Sequence, residues 1–472
     1  MIMENTLKAK VKSLLPKPVF PDRKEFVTLY WKAFDLLVGN IRHGQEKNGF
    51  SGSFVDAAFS ENIFQWDSCM IAQFARYGFQ SLPVLPSLDN FYDKQESDGY
   101  ICREYCGNNG AALFAKGSAD AVNPPIFAWT EFNYFKLTND RQRLKKVLPI
   151  LIAYFKWIEG NRRNPNKLYW SSPLGCGMDN TPRYAASWID FSSQQALNAL
   201  SISRIAEVVK DGYNMKLFLR KYEELKKLIN ELMWDDKAGY YWDLDTSDSF
   251  VPVKTIAPFW TLLSETAYPE RAKVLIEHLC NPAEFWRPHV FPTLSADNPL
   301  YNPHGGYWRG GIWSPTTYAV IKGLSCYGER GLARKASENH LENMLQVFND
   351  TGTLWENYSP EFPEPGNIAK KDFVGFSGIG PISLLIEEIL GFDIDAPANE
   401  ITWRLYPTDV HGIENLYFCD NRVSLLAQRE DNGSYRLELN SDKPFTLNTF
   451  IGEVKEIHNV PAGISSISIG TG

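Results

Sequence analysis

Apolar residues recur along most of this chain at helical spacing, and the polar positions between them come in two densities. Spacing by three and four predicts twelve helical segments, near 24–43, 62–78, 81–96, 123–138, 140–160, 190–211, 214–234, 255–264, 269–280, 312–328, 330–349 and 372–390. The odd-numbered segments are amphipathic. In 214–234, for example, Phe218, Tyr222, Leu225, Ile229 and Leu232 form one stripe, and Lys, Arg and Glu fill the remaining faces. The even-numbered segments carry few charges: Pro125 to Phe132 and Ala196 to Ile202 are apolar or small nearly all round, as a helix enclosed on most sides must be. An inner ring inside an outer ring accounts for this alternation.

The connections alternate too. After even helices they are short, as at Thr138-Asn139, Asp211-Gly212-Tyr213 and Tyr327-Gly328. After odd helices they are long and hold most of the glycine and tryptophan. Alternate connections in a ring of antiparallel hairpins emerge at one end, and long loops in compact domains are usually functional. The pattern predicts an (α/α)6 toroid over residues 23–394, with its site on the long-loop face. Residues 1–22 read as a basic, proline-containing arm. Past Asp395 the period changes to short alternating runs with turn signals, Arg422 to Ala427, Asp431 to Ser434 and Tyr435 to Leu439, which predicts a small β-sandwich over 395–472.

Composition narrows the chemistry. Of 472 residues, 44% are hydrophobic and 22% charged, as in a globular protein able to bury a large core, and a net charge of -8 with no Lys/Arg stripe argues against nucleic acid as a partner. No long apolar run or cleavable leader is evident, so the expectation is no membrane partner and a cytoplasmic protein, or a periplasmic or secreted one had a leader been removed. Seven scattered cysteines without CxxC or zinc spacing predict free thiols, with neither metal nor cofactor. The acidic group Asp235, Asp236, Asp243 and Asp245 lacks calcium-loop spacing and reads as a solvated turn.

Two loops carry candidate chemistry. Pro173 to Arg183 sets Asp179 among glycines and prolines between two long helices, and Thr353 to Pro360 sets Glu356 beside Trp355 and Tyr358. Two carboxylates in aromatic loops point to glycosidic chemistry. The other readings are a turn aspartate that caps local amides and a solvated glutamate. Trp170, Trp188, Trp242, Trp286, Trp308 and Trp355 all fall in long loops, where aromatic rings can stack on a pyranose.

The pieces Gln65-Trp66-Asp67-Ser68, Gly177 to Arg183, Tyr307 to Trp313 and Trp355 to Tyr358 resemble, in order, the motifs of glycoside hydrolase family 63, which is related to the family 37 trehalases. The resemblance spans residues 50–390. Gly175-Cys176-Gly177 stands where Glu-Ser-Gly is common, and Gly311 where Pro is usual. By this resemblance, the chain is an inverting, exo-acting α-glycoside hydrolase resembling α-glucosidases and mannosylglycerate hydrolases, with Asp179 as general acid and Glu356 as general base, acting on a small carbohydrate. An inverting pair requires the two carboxyls about 6.5 to 9.5 Å apart. Substrate contacts are expected from Trp66, Asp67, Asn123, Arg183, Trp308, Arg309, Trp313, Trp355 and Tyr358. Arg183 has the alternative of holding the Asp179 loop, and Asp67 that of complementing a helix start. The rival functions are a sugar epimerase or isomerase, for which His289 and His304 offer themselves, and a catalytically inactive carbohydrate-binding protein.

Overall fold

The computed structural model describes residues 11–470; the first ten residues of the expected arm lie outside that range. From residue 24 onward the described residues form these helices in chain order: α1 (Lys24–Gly39), α2 (Gln65–Ala75), α3 (Val84–Tyr92), α4 (Phe127–Thr138), α5 (Arg141–Arg162), α6 (Ile189–Val208), α7 (Gly212–Leu232), α8 (Trp260–Leu263), α9 (Pro269–Cys280), α10 (Ser314–Cys326), α11 (Arg330–Thr351) and α12 (Gly380–Ile389). The even-numbered helices pack on one another in sequence, α2 on α4, α4 on α6, α6 on α8 and α8 on α10, and α12 touches both α10 and α2 to close the ring. Every residue of α2 is buried, whereas α7 buries one face, with Phe218, Tyr222, Leu225 and Ile229 inside. The difference in charge density along the sequence is thus the difference between six helices enclosed by protein and six that face water on one side.

Two inner helices depart from the expected spans. Residues 257–259 form a 3-10 turn that leaves only Trp260–Leu263 as α-helix. The segment expected at 372–390 forms a loop, then a 3-10 turn at Ser377–Ile379, then α12, which is wound as a π-helix. Gly375, Gly378 and Gly380 interrupt the segment, and glycine is a poor helix former. The loop so released packs Phe373 against Phe59 and Phe376 against Trp313.

Strands β1 (Lys17–Val19), β2 (Phe392–Asp395), β3 (Glu400–Leu405), β4 (Val410–Phe418), β5 (Asn421–Arg429), β6 (Tyr435–Ser441), β7 (Phe445–Ile451), β8 (Val454–Val460) and β9 (Gly463–Ile469) make two sheets, ordered β1-β4-β5-β6-β9 and β2-β3-β7-β8. All pairs are antiparallel except β3 with β7. The sheets meet through ring contacts, Trp403 against His411 and Phe418 against Phe445. Part of the arm is a strand: Lys17 to Val19 pair with Glu414 to Gly412. Among the described residues, no helix is long and apolar enough to cross a membrane.

Candidate active site

The long connections run at 40–64, 93–126, 163–188, 233–259, 281–313 and 352–379, and five of the six meet around a cavity of about 230 Å3. Asp67 enters it from the first turn of α2 and is 6% exposed; Glu356 enters from the last long loop at 4%. Asp179 stands at the mouth, open to the cavity yet crowded by its walls.

The acid loop is shaped by local bonds. Cys176 N donates to Ser172 O at 2.9 Å and Met178 N to Pro173 O at 2.9 Å, curling the backbone so that Asp179 projects. Gly177 has φ of +76°, a region that favours glycine, and a side chain placed there would point at the Trp66 ring, 3.8 Å from its Cβ. The residue after Asp179 fastens the loop: Asn180 Nδ2 donates to Gly306 O at 3.0 Å, and Trp308 N donates to Asn180 Oδ1 at 2.8 Å. The base loop is pinned differently. Ile312 and Tyr358 exchange two backbone bonds, and Glu356 N donates to Lys370 O at 2.9 Å. The Glu356 carboxylate accepts from Lys370 Nζ at 3.0 Å and from Lys370 N at 3.2 Å, so its orientation is fixed and its charge paired.

Burial pushes the Asp179 carboxyl above the usual range; the charge of Arg103 opposes that shift, and the charge of Glu356 adds to it. Asp67 is pushed up to about 8, first by burial and then by the charges of Asp56 and Glu356. The positive end of α2 does not keep this carboxyl low. Asp67 Oδ1, Trp66 Nε1 and Asn123 Oδ1 are buried without a protein partner. Because buried polar atoms are nearly always bonded, three such atoms among the lining residues of one cavity mark positions that a hydroxylated ligand can satisfy.

Of the residues expected from sequence, Trp66, Asp67, Asn123, Asp179, Trp308, Trp313 and Glu356 line this cavity. Trp308 and Trp313 stack at 3.9 Å and 7°, forming one aromatic slab. Four others are elsewhere. The Arg183 guanidinium is enclosed between Asp190 and Asp243, with four bonds of 2.7 to 3.0 Å, and holds the acid loop to the start of α6 rather than facing a ligand. Asp243 is therefore a buried partner of Arg183 and not part of a solvated turn. Arg309 is exposed and donates to Asn180 O at 3.3 Å. Trp355 donates its indole N–H to Thr351 Oγ1, and the buried Tyr358 hydroxyl accepts from Trp355 N at 3.1 Å. Of the six loop tryptophans, only Trp308 lines the cavity. No histidine lines it: His289 is buried against Ser359 O, and His304 is exposed beside Glu364.

Sequence reasoning did not assign site roles to Arg103, Lys370, Tyr307, Phe59, Phe64 and Phe114, which also line the cavity, as do Glu104, Leu174, Gly177 and Phe376. Arg103 Nη1 donates to Leu174 O at 2.7 Å, tying the second long loop to the acid loop, and its Nε is buried without a partner. A lone Arg103-Glu104 pair inside the apolar run from Tyr100 to Tyr105 was the available signal.

Comparison with known proteins agrees with this geometry. Residues 61–366 match the mannosylglycerate hydrolase MGH1-like glycoside hydrolase domain. A protein of Borreliella burgdorferi, described only as uncharacterized, is 30% identical over 97% of this chain and 98% of its own length. A probable mannosyl-oligosaccharide glucosidase of Schizosaccharomyces pombe is 20% identical over 50% of this chain and 34% of its own. The crystal structure of a GH63 mannosylglycerate hydrolase from Thermus thermophilus with glucose superposes with a TM-score of 0.61 at 20% identity, covering 75% of this chain and 99% of that one. With a glycosidase domain matched across the cavity's loops and a relative aligned along nearly all its length, the chain belongs to the mannosylglycerate hydrolase MGH1-like family, within glycoside hydrolase family 63, and is a glycoside hydrolase.

Proposed function

We propose that the protein is an inverting, exo-acting hydrolase of small α-glycosides in the gluco or manno configuration, with Asp179 as general acid and Glu356 as general base. One observation carries the reading: carboxyls nearly two hundred residues apart in sequence line a single cavity, and the one at the mouth has its pKa raised, first by burial and in part by the charge of Glu356. A raised pKa lets Asp179 hold a proton to deliver to the glycosidic oxygen as the C1–O bond breaks. Glu356, oriented by Lys370, takes a proton from a water that attacks C1 on the opposite face, so an α substrate releases a β product. Asp67 and Asn123 offer oxygens to the hydroxyls of the terminal sugar, and the Trp308–Trp313 slab offers it an aromatic face. The cavity is smaller than most ligand pockets, which run from about 300 Å3 upward; it favours one sugar ring and a small leaving group.

Proton NMR of the first-formed anomer from α-linked disaccharides and mannosylglycerate tests the reading. A β anomer is expected; an α anomer as first product overturns inversion. Asp179→Asn that retains full activity removes the acid from its role.

A further inference from the structure

A second cavity, of about 630 Å3, lies where the start of α11 meets the C-terminal sheets. It is built from turns: Gly328 to Gly331 before and at the start of α11, the end of β3 from Arg404 to Pro407, and the hairpin tips at Gly433 and Gly452. Three arginines line it, Arg330, Arg404 and Arg429, with one exposed carboxylate, Glu453; Arg330 and Arg404 also border a neighbouring cavity lined by Asp393 and Asp395. None of the three arginines forms an ion pair within 4.0 Å among the described residues. The carboxylates whose charge reaches Arg404 are held elsewhere, Asp393 beside Lys136 at 3.9 Å and Glu388 with Lys322 at 3.1 Å. Partial burial, and then the charge of Arg330, both push the Arg404 guanidinium below its usual range. Unpaired cations gathered in a cleft repel one another, and the fold gains nothing from that repulsion unless an anion relieves it.

The same cleft supplies further donors and a floor. Helix α11 runs for 22 residues and begins without a side-chain cap; its first amide, Arg330 N, is bonded to Gly328 O at 2.8 Å, and Gly331, the next residue, lines the cleft at the positive end of the helix. Tyr406 and Phe450 line the cavity, with the Arg334 guanidinium 3.7 Å from the Tyr406 ring on one face and Arg404 5.3 Å from the Phe450 ring. Guanidiniums match phosphate oxygens in geometry, and aromatic faces match the carbon skeleton of a sugar.

We propose that this cleft is a binding site for a small phosphorylated metabolite of sugar phosphate size, with the phosphate between Arg330, Arg404 and the start of α11 and the carbon body against Tyr406 and Phe450. The site stands apart from the hydrolytic cavity and does not depend on the function proposed there. Calorimetric titration of the whole protein with glucose 6-phosphate, inorganic phosphate and glucose, at fixed ionic strength, tests it. Glucose 6-phosphate is expected to bind saturably and more tightly than inorganic phosphate, and R330Q/R404Q to weaken it by about tenfold or more, the ratio that one lost charge-assisted bond produces. R429Q, at the exposed rim, is expected to weaken it several-fold and guards against a double variant that does not fold. Absence of saturable glucose 6-phosphate binding overturns the proposal. So does equal affinity for inorganic phosphate, undiminished affinity in a folded R330Q/R404Q or R429Q, or binding abolished by Asp179→Asn.

Discussion

Two buried carboxylates at opposite ends of the helical ring show how one side chain serves structure or chemistry. Glu387, on α12, accepts from Arg76 at 2.9 Å, Tyr77 at 2.9 Å and Tyr318 at 3.0 Å, and pairs with Lys322 at 2.9 Å. Although burial opposes it, the charges of Lys322 and Arg76 bring its pKa below the usual range. Asp67, on the neighbouring inner helix, has one oxygen with no partner, and burial, with the charges of Asp56 and Glu356, takes it up to about 8 against the opposing charge of Arg103. A satisfied acid is part of the frame, and an unsatisfied one awaits a ligand.

The sharpest way to break this contrast is to neutralise one carboxylate at each end. Glu356→Gln is expected to cost about 10²- to 10⁴-fold in turnover, the usual size of a general-base contribution, with an unfolding midpoint close to wild type. Glu387→Gln is expected to destabilise by about 3 to 5 kcal/mol, because it strips the enclosed Arg76 of its counter-charge and leaves Lys322 with Glu388 alone, while the protein that stays folded keeps its turnover per molecule. Denaturant unfolding and initial rates on both variants decide it; equal loss of activity at equal stability would erase the distinction.

The arginines offer a second contrast of the same kind. Arg183→Ala strips Asp190 and Asp243 of their shared cation and is expected to cost about 3 to 5 kcal/mol. Arg309→Ala, at the surface, is expected to stay within about 0.5 kcal/mol. A large rise in KM for Arg309→Ala in a stable protein would return that residue to the substrate.

A further test of the contrast is in pH. Folded Asp67 keeps its proton up to about 8, whereas its ordinary value is 3.8, so the folded chain binds the extra proton between those limits. Its contribution therefore favours the fold below 3.8 and is lost progressively as pH rises to 8. Thermal unfolding of Asp67→Asn across that window should fall less steeply than wild type; parallel curves would mean that Asp67 ionises normally.

How much of this was legible in the sequence follows from what the sequence encodes locally. The two rings were readable because burial on all sides excludes charge from a helix, as α6 excludes it from Ala196 to Ile202. The two candidate loops stood out because glycine, proline and aromatic residues cluster around one carboxylate in each, and the structure brings both carboxylates to one cavity. The partners of those carboxylates were not, since Arg103 and Lys370 bear no spacing relation to Asp179 and reach it only when separate long loops converge. Arg183 misleads for the converse reason. Four residues from Asp179 in sequence, it turns inward because Asp243, sixty residues on, lies behind the wall.

The pairing of Lys17–Val19 with Gly412–Glu414 carries a consequence for biosynthesis. A ribosome delivers β1 first, but the neighbour it hydrogen-bonds emerges only after α1 to α12 have been made. During translation the leading segment has no sheet to join, and α1 has neither α11 nor α12 to lean on. Closure of the torus is therefore a late, long-range event, and a nascent chain halted before α12 emerges holds an open ring.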